Sequence, residues 1–316
     1  MQGKTVVLNA ARLNYDGVLD FSRLSADVTL YNHSEPDEIL ARVAGHDIVV
    51  TKELPISAEL LAQFPSCVKL LCEAGTGYNN IPLDAARARG ITVCNIPAYS
   101  TQRVAHTAIM LMLGLSSSMQ RQQAMLTKGD RSNFTKYLQV NHVELGSKIL
   151  GLIGTGNIGR SVAKIAQAME MTVLAYARTP RADADGISYV TMDELLEKSD
   201  YLSLHCPLNA ETKHLIDGET LAKMKASAFL INTARGPLVD EAALIDALQR
   251  GVIAGAGLDV QEVEPPANHS PLYTLENVIL TPHMGWKGLE TRQRLLSLLC
   301  ENIAQFIKGS PVNVVS

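Results

Sequence analysis

Short apolar runs and amphipathic stretches take turns along this chain almost from its first residue. Runs at Lys4–Asn9, Val28–Tyr31, Ile48–Thr51, Lys69–Glu73 and Thr92–Asn95 have strand length. Stretches with three- and four-residue apolar spacing, such as Ser57–Gln63 and Leu83–Ala88, lie between them. A second series follows at Lys148–Ile153, Thr172–Ala177, Ser188–Val190, Tyr201–His205, Phe229–Thr233, Gly257–Val260 and Val278–Thr281. These runs are rich in Val, Ile and Leu rather than alternating, as strands covered on both faces must be. Strands separated by helices predict parallel sheets with crossover helices, an α/β fold.

A long helical stretch, about Thr101–Lys128, separates the two series and is expected to bridge them. The last helical stretch, Leu289–Ile307, carries Leu295, Leu298, Leu299, Ile303 and Phe306 at helical spacing, and no strand follows it. It has to dock on something already built, and the expected partner is the first sheet. The prediction is two Rossmann-like or flavodoxin-like lobes with parallel sheets and a cleft between them. One lobe takes residues 1–98 with 288–316, and the other takes 99–287.

Within the second series, Ile149–Gly159 reads I-L-G-L-I-G-T-G-N-I-G. Gly154, Gly156 and Gly159 form G-x-G-x-x-G between an apolar strand and an amphipathic helix, and a second strand follows at the right distance. The first glycine permits the tight turn, the second lets the backbone approach a pyrophosphate, and the third lets helix and strand pack closely. The free N–H groups and positive end of the helix face the phosphates. Residues 99–287 are therefore expected to bind a dinucleotide, leaving the discontinuous lobe for substrate.

Composition narrows the field further. The chain has 316 residues, 47% of them hydrophobic and 19% charged, enough for a large core. A net charge of −4 gives no electrostatic case for nucleic acid or membrane. No apolar run approaches the length of a membrane span, and the start of the chain shows no signal-peptide pattern, so a cytoplasmic protein is expected. Five cysteines, none in C-x-x-C, read as core filling in a reducing compartment, and no metal is expected.

The ligand crevice of an open α/β sheet lies beyond the carboxyl ends of its strands, and three later motifs stand there. In Ile231–Gly236 an apolar strand ends at Arg235, a planar fork suited to a carboxylate and its neighbouring oxygen. Gly257–Val260 leads into a run of carboxylates, among which Glu264 is stiffened by Pro265 and Pro266; Asp259 is a candidate acceptor for a nicotinamide carboxamide. Thr281–Trp286 places His283 just past the last strand. One arginine, one glutamate and one histidine, each at a strand end of the same sheet, make a less accidental set than any of them alone.

Together these motifs resemble the D-2-hydroxyacid dehydrogenase family, and within it the glycerate dehydrogenase and hydroxypyruvate or glyoxylate reductase group. The likeness runs through Ala74–Asn80, Asn95–Thr101, the glycine turn, Leu204–Leu208, Asn232–Gly236, Asp259–Pro265 and Thr281–His283. Arg235 to Glu264 is 29 residues and Glu264 to His283 is 19, matching the family's catalytic spacing. The resemblance implies that His283 protonates the carbonyl oxygen of a 2-keto acid such as hydroxypyruvate or glyoxylate while a nicotinamide delivers hydride. It further implies that Glu264 orients the imidazole, that Arg235 holds substrate, and that the Thr76–Gly77 backbone binds the substrate carboxylate from the other lobe, which closes on it. Trp286, the only tryptophan, either walls the substrate pocket, which favours small acids, or packs between the lobes. The resemblance places the cofactor against Gly154, Thr155, Gly156, Asn157, Ile158, Arg178, Thr179, His205, Cys206, Pro207, Thr212, Thr233, Ala234, Asp259, His283 and Gly285.

The residue at the end of the second strand, where NAD-using members carry an aspartate, is Ala177 here. No carboxylate remains there to repel a 2′-phosphate, and Arg178, Thr179 and Arg181 are at hand, so NADP is expected over NAD. Pro82 replaces a family aspartate, which leaves the bracing of the substrate loop open. Phosphoglycerate dehydrogenase is the alternative within the class, although no basic cluster for a substrate phosphate stands near the loop. A cofactor-sensing corepressor or scaffold is the alternative outside it. The family resemblance and the apolar stretch Val104–Met125 predict a homodimer.

Overall fold

The computed structural model describes residues 3–179 and 181–316. The chain divides into two compact units, residues 1–100 with 286–316, and residues 101–285. Both are built on parallel sheets, in keeping with the α/β expectation.

The first unit holds β1 (Lys4–Val7), β2 (Asp27–Leu30), β3 (Ile48–Thr51), β4 (Leu70–Glu73) and β5 (Thr92–Cys94) in the order β2-β1-β3-β4-β5. That is the flavodoxin-like order, with the switch point between β1 and β3. Side chains alternate across the strands. Val7, Val50, Cys72 and Cys94 share one core with Leu295, Leu299 and Ile303 of the helix Leu289–Ile307, and Val6, Val49, Leu71 and Val93 fill the core on the other face. The helix thus reaches β1–β5 across almost the whole sequence and covers one face of the sheet with its three- and four-residue apolar stripe. An antiparallel bridge from Cys94 to Val314 brings the chain's last residues to the sheet edge.

The second unit holds β6 (Ile149–Ile153), β7 (Thr172–Tyr176), β8 (Ile187–Tyr189), β9 (Tyr201–Leu204), β10 (Phe229–Asn232), β11 (Gly255–Leu258) and β12 (Val278–Leu280). Its order, β12-β11-β10-β9-β6-β7-β8, reverses direction at β6, the doubly wound arrangement of dinucleotide-binding sheets. One face packs Leu152, Val173 and Ala175 against Leu111, Met112, Val162 and Ala166; the other packs Ile153, Leu204 and Leu230 against Leu195, Leu221 and Leu244. Gly257 lets the helix Thr101–Ser116 lie close to the sheet, since a Cβ there would come within 2.8 Å of Leu111 Cβ.

The stretch Thr101–Lys128 is not one helix. It breaks into Thr101–Ser116 and Met119–Thr127, and Ser118 lies in the left-handed region at φ 47°. The hydroxyls of Ser116 and Ser117 both donate to the Leu113 carbonyl, a local bond that competes with helix continuation.

Candidate active site

The turn after β6 has the shape of an anion cradle. Gly154 has φ 99°, and a Cβ on it would lie 2.7 Å from the His205 carbonyl. A Cβ on Gly159 would meet the Gly154 carbonyl oxygen at 2.2 Å, so helix and turn touch there. Gly156, by contrast, has nothing within 4 Å of a built Cβ: its side chain would point into open space. No side chain caps the helix Asn157–Ala168 that begins beside it, so its first N–H groups and dipole face outward. At the carboxyl end of β10, the buried Thr233 hydroxyl has no hydrogen-bond partner. An open cradle, an uncapped helix start and an orphaned hydroxyl at one end of the sheet fit a phosphate-bearing nucleotide.

The other expected cofactor contacts sort into two groups. Thr155, buried, takes the Tyr189 hydroxyl at 2.9 Å. Thr212 donates to the Pro207 carbonyl at 2.7 Å and receives the Asn209 N–H, which shapes the loop after β9. His205 shares a 2.9 Å hydrogen bond with Ser203, and burial lowers its pKa to about 4, so it is a neutral ring at pH 7. Burial also pushes the Cys206 thiol up to about 11, which makes it a packing residue and not a nucleophile. Arg178 and Thr179 are exposed at the end of β7. There the carboxylate-free picture needs correcting, because Glu211, from the loop after β9, forms an ion pair with Arg178. Inspection of residues next to Ala177 alone could not reveal a carboxylate arriving from 33 residues away.

Three loops leave the carboxyl ends of adjacent strands β10, β11 and β12, and they are tied together. Asn232 caps its own turn: its side chain accepts from Ala234 N–H and donates to the Arg235 carbonyl. Gly236 lies flat on the next loop, where a Cβ would sit 1.7 Å from the Gln261 carbonyl oxygen. In that loop the Gln261 N–H donates to Glu264 Oε1 at 3.1 Å, and Glu264 Oε2 meets His283 Nδ1 at 2.8 Å. Both partners stay partly solvent-exposed, 32% for Glu264 and 21% for His283, as a pair that meets a ligand must. His283 itself has φ 46°, an uncommon backbone state for a non-glycine residue that clusters at functional sites.

Asp259 holds this histidine loop in place. Its Oδ1 accepts from the Thr281 hydroxyl at 2.6 Å and from Met284 N–H at 2.9 Å, and its Oδ2 from Gly285 N–H at 2.8 Å. Gly285 must be glycine, since a Cβ would sit 2.8 Å from that same Oδ2. A carboxylate offers about four lone-pair sites, so one is left for a cofactor amide.

In the first unit, the Thr76–Gly77 turn is braced by side chains that sequence reasoning passed over. Glu73, fully buried, accepts from Thr51 Oγ1, Asn80 Nδ2 and the Glu53 N–H. That network supplies the bracing that Pro82 left open. Trp286 is only 4% exposed and belongs to the core of this unit, with Lys52 over its ring at 4.1 Å. Within this unit its ring is a platform under Lys52. A second imidazole–carboxylate pair was likewise not singled out: His214 Nε2 and Glu262 Oε1, 2.7 Å apart, link the loops after β9 and β11. Neither residue carries a motif of its own, so only tertiary structure brings them into view.

The family described as D-isomer specific 2-hydroxyacid dehydrogenase, NAD binding domain, matches residues 109–285. A hydroxypyruvate reductase of Blautia hydrogenotrophica is 38% identical, with 99% of each chain covered. A glycerate dehydrogenase of Methylorubrum extorquens is 40% identical over 89% of this chain and 88% of its own. Among solved structures, an acyclic imino acid reductase in complex with NADPH and D-Arg superposes with a TM-score of 0.85 at 30% identity, covering 99% of this chain and 100% of that one.

Proposed function

Because this chain belongs to the D-isomer specific 2-hydroxyacid dehydrogenase family, whose members are NAD(P)-dependent oxidoreductases, we propose that it reduces a small 2-keto acid. Hydroxypyruvate or glyoxylate is the substrate, D-glycerate or glycolate the product, and NADPH the preferred reductant. The observation that carries the reading is the 2.8 Å His283–Glu264 pair at the strand ends, with the Arg235 turn packed against the same loop.

When bound, the nicotinamide supplies a hydride to the carbonyl carbon. With Nδ1 on Glu264, His283 Nε2 gives the carbonyl oxygen its proton, so C=O becomes CH–OH with hydride and proton accounted for. The Glu264 carboxylate, 2.8 Å from Nδ1, fixes the ring's orientation and tautomer. Arg235 holds the acid and stabilises charge growing on oxygen. The Thr76–Gly77 N–H groups would bind the substrate carboxylate, and Asp259 would accept from the carboxamide of a bound nicotinamide. Gly154–Ile158 would hold the nucleotide phosphates, and the unpartnered Thr233 Oγ1 would donate to the cofactor.

The preference for NADPH rests on Ala177, Arg178 and Thr179, and it draws support from the NADPH bound to the imino acid reductase. Glu211 competes for Arg178, but an exposed ion pair contributes only about 0–1 kcal/mol, whereas a hydrogen bond to a charged group contributes about 1.5–3 kcal/mol. Held that weakly, Glu211 would offer little competition to a 2′-phosphate at Arg178. The names of the relatives support a small substrate.

One assay series tests the whole reading: nicotinamide absorbance with hydroxypyruvate, glyoxylate, pyruvate, phenylpyruvate and phosphohydroxypyruvate, each with NADPH and NADH. Highest kcat/KM for hydroxypyruvate or glyoxylate with NADPH is expected. A clear NADH preference defeats the cofactor assignment, and no turnover with any acid defeats the enzymatic one.

A further inference from the structure

Lys52 follows β3 directly and is only 2% exposed, an uncommon fate for a lysine. Its backbone is pinned by the buried Asn9, whose side chain accepts from Lys52 N–H at 2.9 Å and donates to its carbonyl at 2.6 Å. The ammonium lies 4.1 Å from the Trp286 ring centroid and 2.7 Å from Glu53 Oε1. Burial acts to lower the lysine pKa, but Tyr99, Glu53 and Glu73 together hold it above the usual range, so the group stays charged.

The same ammonium reaches the turn after β4. A Cβ on Gly75 would sit 3.0 Å from Lys52 Nζ and 3.2 Å from Glu73 Oε1, so the lysine and glutamate crowd the volume that a side chain at position 75 would need. From the other side, Ile96 N–H donates to the Gly75 carbonyl at 2.9 Å and Asn95 Nδ2 to the Thr76 carbonyl at 2.7 Å. The carbonyls are thus turned away and engaged. Among the described residues, no group accepts from the N–H of Gly75, Thr76 or Gly77.

Resting on the reading above that this turn takes the substrate carboxylate, we propose that Lys52 is a positioning residue for it. Laid on the Trp286 ring and against Gly75, its ammonium fixes the backbone in the shape that presents those N–H groups to an acid. An apolar residue could fill the space, but it would leave the buried Glu73 without its neighbouring cation and the half-buried Glu53 with Arg12 alone, and the brace would relax. Misplacing a binding group by about 1 Å is enough to lose on the order of a hundredfold.

Trp286 is the only tryptophan, so its emission reports on Lys52 directly. The test uses the full-length protein and its Lys52→Met and Lys52→Arg variants. Oxamate, a small unreactive acid with an adjacent carbonyl, is the probe, titrated by tryptophan emission in the presence of NADPH. Lys52→Met is expected to weaken oxamate binding and raise the keto-acid KM roughly 10- to 100-fold. NADPH affinity and kcat should move less than about threefold, and Lys52→Arg should recover part of the loss. Oxamate binding and KM at wild-type values in Lys52→Met overturn the proposal. So does wild-type Trp286 emission that ignores saturating oxamate. If Lys52→Met does not fold, Gly75→Ala, whose methyl presses on the ammonium, must show the same rise in KM; an unchanged KM there also overturns it. Should the wild type turn over no keto acid, the proposed activity fails, yet the oxamate titration still decides the role of Lys52.

Discussion

At the scale of single residues, a handful of polar contacts accounts for the proposed chemistry. Asp259 spends three of its acceptor sites on the turn that carries His283, so the imidazole arrives at Glu264 already oriented. His283→Gln keeps the size and a hydrogen bond to Glu264 but has no acid proton to give. A kcat reduced about 10²- to 10⁴-fold, the usual range for general acid catalysis, is expected with NADPH affinity retained, measured by steady-state kinetics and cofactor fluorescence. A variant with kcat near wild type removes His283 from the mechanism. Arg235, Glu264 and His283 could be singled out from sequence because each stands at the end of a recognisable apolar strand. Gln261, Glu73 and Lys52 could not, since each looks like an ordinary polar loop or strand-end residue until tertiary contacts give it a partner. Glu211 shows the same limit, because its pairing with Arg178 depends on which loops lie beside each other and not on local pattern.

At the scale of elements, the strands were the legible part. Runs of Val, Ile and Leu buried on both faces have no competing interpretation, and the sheet positions fall within about two residues of the pattern. The broken helix was not legible, because three consecutive serines read as tolerable helix residues until the hydroxyls of Ser116 and Ser117 are seen to bond back to Leu113. The contact between the loops after β10 and β11 was equally hidden, although Gly236 marks it. Adding one methyl there puts carbon 1.7 Å from the Gln261 carbonyl oxygen, and both partners are backbone. Overpacking of this kind destabilises by about 1–3 kcal/mol or more, which corresponds to roughly 2–12 °C in a domain of this size. Gly236→Ala is expected to lower the melting temperature by that amount and kcat/KM by at least tenfold, because the shift moves Arg235 and Glu264 apart. Calorimetry and kinetics showing neither loss would mean the two loops can slide freely.

At the scale of the whole molecule, two units are made from three stretches of chain. The apolar segment Val104–Met125 was expected to need a second subunit to cover it, but Val104, Ala105, Ala108, Ile109, Leu111, Met112 and Leu115 are buried within this chain. What remains outside is Met110, Leu113 and Met119, together with Phe134 and Tyr137, which are 78% and 91% exposed. A homodimer through this face is still the expectation, on smaller grounds: light scattering at micromolar concentration should give twice the chain mass, and Phe134→Ser with Tyr137→Ser should shift it towards the monomer. A monomeric wild type ends that assignment. No helix among the described residues is long and apolar enough to cross a membrane. The return of Leu289–Ile307 to β1–β5 also bears on how the chain is born. A ribosome that has released residues 1–100 must still make about 185 more before the helix that covers their sheet begins to emerge. At about 5–20 residues per second, that is a delay of roughly 10–40 s. Throughout it, Val7, Val50 and Cys72 wait with one greasy flank uncovered, a natural target for a holdase, and the second unit is fully made before that flank is covered.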